Sequence, residues 1–141
     1  MHDQYNRKID YLRISLTDRC NLHCRYCQPE VSEHVTHNEI LRYEELLRIC
    51  RAALQLGIRK FKITGGEPLL RKGCSDFIAN LKQLEGAEQV TLTTNGTLLS
   101  NQLPALIAAG VDSINVSLDT LDAAYYTELT GGSLDSVLQA L

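Results

Sequence analysis

No stretch of the 141-residue chain approaches the ~20 consecutive apolar residues that a membrane-spanning helix needs. Residues 1–10 are polar and lack the apolar centre of a secretory signal. Low-complexity tracts, linkers and polybasic runs are also missing. These absences speak against a membrane and against nucleic acid as partners, and they make the cytoplasm the expected compartment. The cysteines do not fall into pairs. There are five, three of them crowded into eight residues. That excludes a disulfide framework and points to metal binding in a reducing compartment.

What is present suits one domain with a real core. Hydrophobic residues make up 44% of the chain and charged residues 22%, ordinary values for a globular protein. The net charge of −3 hides an asymmetry. Residues 1–72 hold 13 of the 14 Lys and Arg and carry +4, whereas residues 73–141 carry −7. A basic wall facing an anionic ligand is one reading of that division. Chance within a single domain is the other.

Four segments alternate apolar and polar residues as strands do: 11–16, 59–64, 89–94 and 113–118. Between them lie helical patterns. The first spans 41–56, with Tyr43, Leu46, Leu47, Cys50, Ala53 and Leu54 on one face, and stops at Gly57. The second spans 75–84 and leaves Cys74 in a loop as a free thiol. The third spans 100–109, where Pro104 is tolerable if it lies near the first turn. A short helix is expected over 122–129 and another from Ser133 onward. The order βαβαβαβα implies a parallel sheet with right-handed crossovers.

The alternation separates two α/β architectures. Strands buried on both faces read as continuous apolar runs, and these do not. Leu12, Ile14, Leu16, Phe61, Ile63, Val90, Leu92, Ile114, Val116 and Leu118 share one face. The other face gathers Arg13, Ser15, Lys62, Thr64, Thr91, Thr93, Asn95, Asn115, Ser117 and Asp119. Burying those groups dry costs a few kcal/mol each, so this face is expected to line a wet cavity inside a curved, barrel-like sheet. Four strands do not close a barrel. An open edge is left, and the chain reads as part of a longer one or as a subunit in need of a partner, a homodimer included.

Cys20, Cys24 and Cys27 follow strand one as C-x3-C-x2-C. Thiolates are soft ligands for zinc or iron–sulfur clusters. A zinc site would draw on His23, His34 or His37 as fourth ligand, but it more often uses paired motifs. Three thiolates suit a cubane whose fourth iron keeps an open position. Cys50 sits on the apolar helix face and reads as core, and His34 and His37 read as solvated loop residues.

The cysteine motif with Tyr26 before its last member resembles that of the radical S-adenosylmethionine (radical SAM) superfamily. The turn Gly65-Gly66-Glu67-Pro68 after strand two resembles the second hallmark of that superfamily. Within it, the segments 11–20, 63–71, 92–96, 114–122 and 129–132 are closest to the GTP 3′,8-cyclases of molybdenum cofactor biosynthesis. The resemblance implies an α/β partial (β/α) barrel, with residues 1–141 forming the N-terminal part of a radical SAM core domain. It implies a [4Fe–4S] cluster on Cys20, Cys24 and Cys27, with S-adenosylmethionine bound at the open iron. Tyr26 and Gly66 would contact S-adenosylmethionine through backbone groups, Ser117 from the inner face, and Glu67 at the methionyl ammonium. Arg13, Lys62 and Thr93 would touch GTP. An electron donor such as flavodoxin or ferredoxin is implied as partner. The cyclases carry two more βα units and three further cysteines for a second cluster, to which Cys50 and Cys74 do not correspond. Gln28 stands where a larger apolar residue often follows the last cysteine. A peptide maturase sharing the same core, a non-catalytic cluster-binding fragment and a zinc module are the competing readings.

Overall fold

The computed structural model describes residues 3–27 and 39–141; Gln28, His34, His37 and the rest of the stretch 28–38 lie outside the described residues. Strands β1 (Tyr11–Ser15), β2 (Lys60–Thr64), β3 (Gln89–Thr94) and β4 (Ser113–Val116) form one sheet in that spatial order, with every pair parallel. Helices α1 (Tyr43–Gln55), α2 (Cys74–Lys82), α3 (Leu99–Ala108), α4 (Ala123–Thr130) and α5 (Leu134–Leu138) alternate with and follow the strands. Each strand pairs with its sequence neighbour and the order never reverses. That is the progression of a (β/α) barrel wall, without the reversal that marks a doubly wound sheet. Among the described residues no helix is long and apolar enough to cross a membrane.

The two faces of the sheet separate as the alternation requires. Ile14, Phe61, Ile63, Val90 and Leu92 are buried against Leu46, Cys50 and Leu54 of α1, Phe77, Ile78 and Leu81 of α2, and Leu99 and Leu106 of α3. Full burial of side chains this size stabilises by about 1.5–3 kcal/mol each, which fixes the helices on that face. On the opposite face Arg13, Ser15, Asn115 and Ser117 are exposed. A smaller cluster of Tyr126, Leu134 and Val137 packs α4 and α5 on Val116 and Leu118.

Element ends follow local chemistry. Helix α1 starts at Tyr43 rather than 41, where the Glu45 carboxylate reaches back to accept from the Arg42 N–H at 2.7 Å, as the third helical residue does in a capping box. Asp122 is outside α4 and caps it, accepting from Tyr125 N at 2.9 Å. Strand β4 ends at Val116, two residues early, although Ser117 N still donates to Thr94 O at 2.9 Å. Two expectations are corrected. Cys74 is not in a loop: it opens α2 after Gly73, whose φ is 82°, and is buried, although its thiol is free as expected. Pro104 is not in the first turn but is the sixth residue of α3. The carbonyl it leaves without a helical partner belongs to Ser100, an exposed residue whose backbone water can reach.

The end of β2 and the start of the cysteine loop are joined backbone to backbone. Leu16 N donates to Thr64 O at 2.8 Å, Gly66 N to Thr17 O at 2.7 Å and Glu67 N to Arg19 O at 2.7 Å. The β1–β2 ladder thus runs past the strands into the loop. Glycine is required by the closeness of approach. A Cβ on Gly65 would lie 2.6 Å from Thr17 O, and one on Gly66 would be driven into the Arg19 carbonyl. Behind this clamp the Glu67 side chain is fully buried. Its Oε1 accepts from Leu69 N and Thr94 Oγ1, each at 2.9 Å, and its Oε2 accepts from Asn95 N at 2.7 Å. One carboxylate therefore joins the ends of β2 and β3. Burial pushes its pKa above the ordinary glutamate value, against the lowering effect of its three donors.

Gly66→Ala should lower stability by about 1–3 kcal/mol, the usual range for overpacking, read as a lower urea midpoint; an unchanged midpoint would contradict the clamp. Glu67 generates a pH signature. Because its folded pKa is raised, the folded chain holds the proton more tightly than the unfolded chain. Its contribution is therefore lost as pH rises from the unfolded glutamate value through the raised one. The stability difference between parent and Glu67→Gln should shrink in that window when urea curves are recorded from acid to neutral pH. A difference that grows with pH would show the carboxylate to be stabilised as an anion.

Candidate active site

The cysteine loop leaves β1 at the C-terminal end of the strand, the end at which barrel enzymes place their chemistry. It is held on two sides. The clamp fixes residues 17–19 from β2. On the far side His23 N donates to Thr130 O at 2.8 Å and Arg25 N to Leu129 O at 2.9 Å. The last carbonyls of a helix have no partner within it, so the loop satisfies the C-terminus of α4 while α4 fixes the loop. An Arg25–Glu128 ion pair at 2.7 Å lies alongside. Leu22 is buried, and a Cβ on Gly132 would lie 2.5 Å from its Cδ2.

Cys20 and Cys27 are exposed and Cys24 is half-buried, all three as free thiols. Burial pushes the Cys24 thiol pKa up, a hydrogen bond with Tyr26 lowers it, and the neighbouring Cys20, Cys27 and Asp119 charges add to the rise. A raised pKa keeps Cys24 a neutral thiol in the free chain, and a metal centre would supply the positive charge that favours the thiolate. Cys20 Sγ already receives Leu22 N at 3.4 Å and Asn95 Nδ2 at 3.7 Å, donors suited to a sulfur that carries charge. Among the described residues no three His, Cys, Asp or Glu side chains converge as around a single metal ion. The three thiols share one short loop, and their chemistry decides the fit: soft sulfur donors, three in number, with N–H donors already directed at Cys20. The donor set fits a [4Fe–4S] cluster.

Of the other expected residues, Arg13, Lys62, Thr93 and Ser117 lie on the polar sheet face, Tyr26 and Gly66 lie in the loops beyond the strand ends, and Glu67 is an exception. Arg13 and Lys62 are directly opposed in the β1–β2 register, and Lys62 is opposed to Thr91 of β3. Thr93, opposed to Asn115 of β4, lies two residues further along β3 towards the cysteine end. Arg13 donates to Thr64 Oγ1 at 3.2 Å. No ion pair engages Arg13 or Lys62 among the described residues. Thr93 Oγ1 is buried without a hydrogen-bond partner, and so is the Tyr126 hydroxyl. Ser117 follows β4 on the same face as Asn115. Tyr26 donates its hydroxyl to Asp119 Oδ2 at 2.7 Å, and that bond is the main reason its pKa is raised. The exception is Glu67. Its carboxylate points into the protein with its oxygens taken, so it does not meet a ligand ammonium from the open face.

Sequence reasoning missed Asn95, Asp119 and Glu128 as supports of the loop. Asn95 is legible only as one more polar-face residue, and the partners of Asp119 and Glu128 lie 93 and 103 residues away in the chain. It also missed Arg71, whose guanidinium donates to Leu16 O at 2.7 Å and Leu41 O at 2.6 Å and lies 4.2 Å from the Tyr43 ring centroid.

Comparison with known proteins places this geometry. The GTP 3′,8-cyclase of Geobacter sulfurreducens is 50% identical over 141 residues, covering 99% of this chain and 43% of that protein. The GTP 3′,8-cyclase of Thermodesulfovibrio yellowstonii is 49% identical over 144 aligned positions, covering 100% and 45%. The chain thus spans under half the length of these curated relatives. Streptococcus suis SuiB, in a crystal structure bound to S-adenosylmethionine, superposes with a TM-score of 0.74 at 24% identity over 93% of this chain and 30% of its own. BtrN, in complex with AdoMet and 2-DOIA, gives a TM-score of 0.58 at 17% identity, with 94% and 55% covered. These two likenesses show the fold. The family model described as the radical SAM superfamily matches residues 14–141. With a four-stranded parallel wall, a three-cysteine loop at its C-terminal end and that match over nearly its whole length, the chain belongs to the radical SAM superfamily.

Proposed function

We propose that the chain is the radical-forming part of a GTP 3′,8-cyclase. The reaction converts GTP to (8S)-3′,8-cyclo-7,8-dihydroguanosine 5′-triphosphate, the first step of molybdenum cofactor biosynthesis. The observation that carries the reading is the Cys20, Cys24 and Cys27 loop, clamped between the Gly65-Gly66 turn and the C-terminus of α4. About 50% identity to the cyclases supports the choice of substrate.

Cys20, Cys24 and Cys27 hold the [4Fe–4S] cluster. Bound there and reduced, the cluster would supply the single electron needed for reductive cleavage of S-adenosylmethionine. The rest falls to the chain's own residues. The Gly66 and Tyr26 backbones and the Ser117 side chain would orient S-adenosylmethionine. Glu67 acts from inside, by holding the ends of β2 and β3 together. Arg13 and Lys62 bring two cations onto an open face where no carboxylate pairs with them among the described residues, which suits a triphosphate. Thr93 offers a hydroxyl with no partner of its own. A low-potential one-electron donor such as flavodoxin or ferredoxin is the partner this chemistry requires, in the cytoplasm.

Anaerobic reconstitution should load about four irons per chain, the content of one cubane, and Cys24→Ala should abolish that uptake. Dithionite and S-adenosylmethionine should then yield 5′-deoxyadenosine. Iron uptake without that product would leave a cluster-binding chain with no radical chemistry, and a colourless zinc site would end both readings.

GTP binding tests the substrate. Arg13→Ala and Lys62→Ala should each weaken it about tenfold or more, since a hydrogen bond to a charged group is worth about 1.5–3 kcal/mol. Both variants should still form 5′-deoxyadenosine. If calorimetry finds GTP affinity unchanged in both, the polar face serves another substrate and the chain is a different radical SAM enzyme.

A further inference from the structure

Asn95 follows β3 directly and is the junction between the sheet and the cysteine loop. We propose that Asn95 is a positioning residue that raises the reduction potential of the cluster by donating its side-chain N–H to the Cys20 sulfur. The inference rests on the cluster assignment above.

The orientation of the amide is decided by its surroundings. Asn95 Oδ1 accepts from the backbone N–H of Thr97 at 3.0 Å and from Thr97 Oγ1 at 2.7 Å. A backbone N–H can only donate, so the group facing it must be the amide oxygen. That leaves Nδ2 turned to the loop, where it reaches Cys20 Sγ at 3.7 Å and Asn21 Oδ1 at 3.0 Å. Asn21 in turn donates from Nδ2 to Thr97 Oγ1 at 2.8 Å, which closes a ring of side chains around the amide. The backbone of Asn95 is fixed as well, since its N–H is held by Glu67 Oε2 at 2.7 Å. The donor aimed at Cys20 is thus anchored through a buried carboxylate to the ends of β2 and β3, and its rotation is blocked by Thr97. A second N–H, from Leu22, lies 3.4 Å from the same sulfur.

Hydrogen bonds to the sulfurs of an iron–sulfur site favour the reduced form, which carries one more negative charge, and so raise its potential. Asn95 does this from outside the cysteine motif, on a strand end that also carries the polar face. Glu67 acquires a second consequence here: it sets the position of Asn95 and, through it, the environment of one cluster ligand.

Asn95→Asp is the sharp test. It keeps the shape and the oxygen facing Thr97 but replaces the donor towards Cys20 with a charged oxygen, so Asn95→Leu, which removes the donor without adding charge, is titrated beside it and should shift in the same direction. In the anaerobically reconstituted chain, an EPR-monitored redox titration should show the variant's midpoint shifted to a more negative potential at equal iron content. An unchanged midpoint at equal iron content overturns the inference and leaves the cluster assignment standing. If the Asp variant takes up no iron, the question passes to a chain labelled with 15N at the asparagine side-chain amides, in an Asn21→Ala background so that Asn21 contributes nothing. Pulsed EPR of its reduced cluster should detect a nitrogen coupling from Asn95, and absence of that coupling overturns the inference. Failure of the parent chain to take up iron would overturn the cluster assignment and this inference together.

Discussion

The structure depends on one close approach, the contact of the Gly65-Gly66 turn with the backbone of residues 17–19. Parallel strands end side by side, and their next residues normally diverge into separate loops. Here they stay in register, so the β1–β2 ladder continues as Gly66 N to Thr17 O and Glu67 N to Arg19 O. Only a backbone without side chains fits so near, and any Cβ there meets a carbonyl group of the facing chain. The three-cysteine loop, which has no regular secondary structure of its own, gains the rigidity of the sheet. A loop that presents three sulfur ligands to one centre needs that rigidity, because ligands held in place lose less freedom when the metal binds.

The clamp fixes one end of the loop, and α4 fixes the other. The free carbonyls of Leu129 and Thr130 at the end of α4 accept the backbone N–H groups of Arg25 and His23. Each such bond contributes about 1 kcal/mol net, a modest sum. The geometry matters more, because β4 and α4 lie at the opposite edge of the sheet from β1. The loop therefore bridges the top of the wall from β1 to the β4 unit, and strand ends β2 and β3 lie beneath the bridge, joined by the Glu67 carboxylate. A wall that is open at its edge is braced across its C-terminal end by the segment that carries the chemistry.

Much of this was legible in the residues. Strict alternation gave the strands and assigned Arg13, Lys62 and Thr93 to the polar face without reference to any family, because a one-sided sheet must alternate. The cysteine spacing gave the metal chemistry, because short spacing on a loop puts the sulfurs within reach of one cluster. What stayed hidden depended on distant partners. Glu67 reads as a charged residue in a turn, and nothing nearby in sequence shows that Thr94 and Asn95 will wrap its carboxylate. Cys74 reads as a loop residue after Gly73, yet the helix begins on it because the αL glycine makes the turn. Pro104 was confined to a first turn by the rule that prolines break helices. It lies in the middle of α3, where the carbonyl that loses its helical partner belongs to an exposed residue, Ser100.

The two halves of the site are built from different materials. Around the cysteines the contacts are largely made by backbone groups of Thr17, Arg19, Gly66, Leu129 and Thr130. A backbone contact survives a change of side chain provided that glycine stays where the approach is close. On the polar face, by contrast, everything offered to a ligand is side chain. The end that holds the cofactor can therefore be kept while the face that meets substrate is rewritten. SuiB, caught with S-adenosylmethionine or with a precursor peptide, keeps the fold at 24% identity, whereas the cyclases match at about 50%. Fold and cysteine loop alone identify the superfamily, and the substrate reading proposed above rests on side chains of the polar face, Arg13, Lys62 and Thr93. Asn95 belongs to neither half. It touches Cys20 with its side chain yet is set by Glu67 and Thr97, so it couples the cofactor end to the strand that carries Thr93.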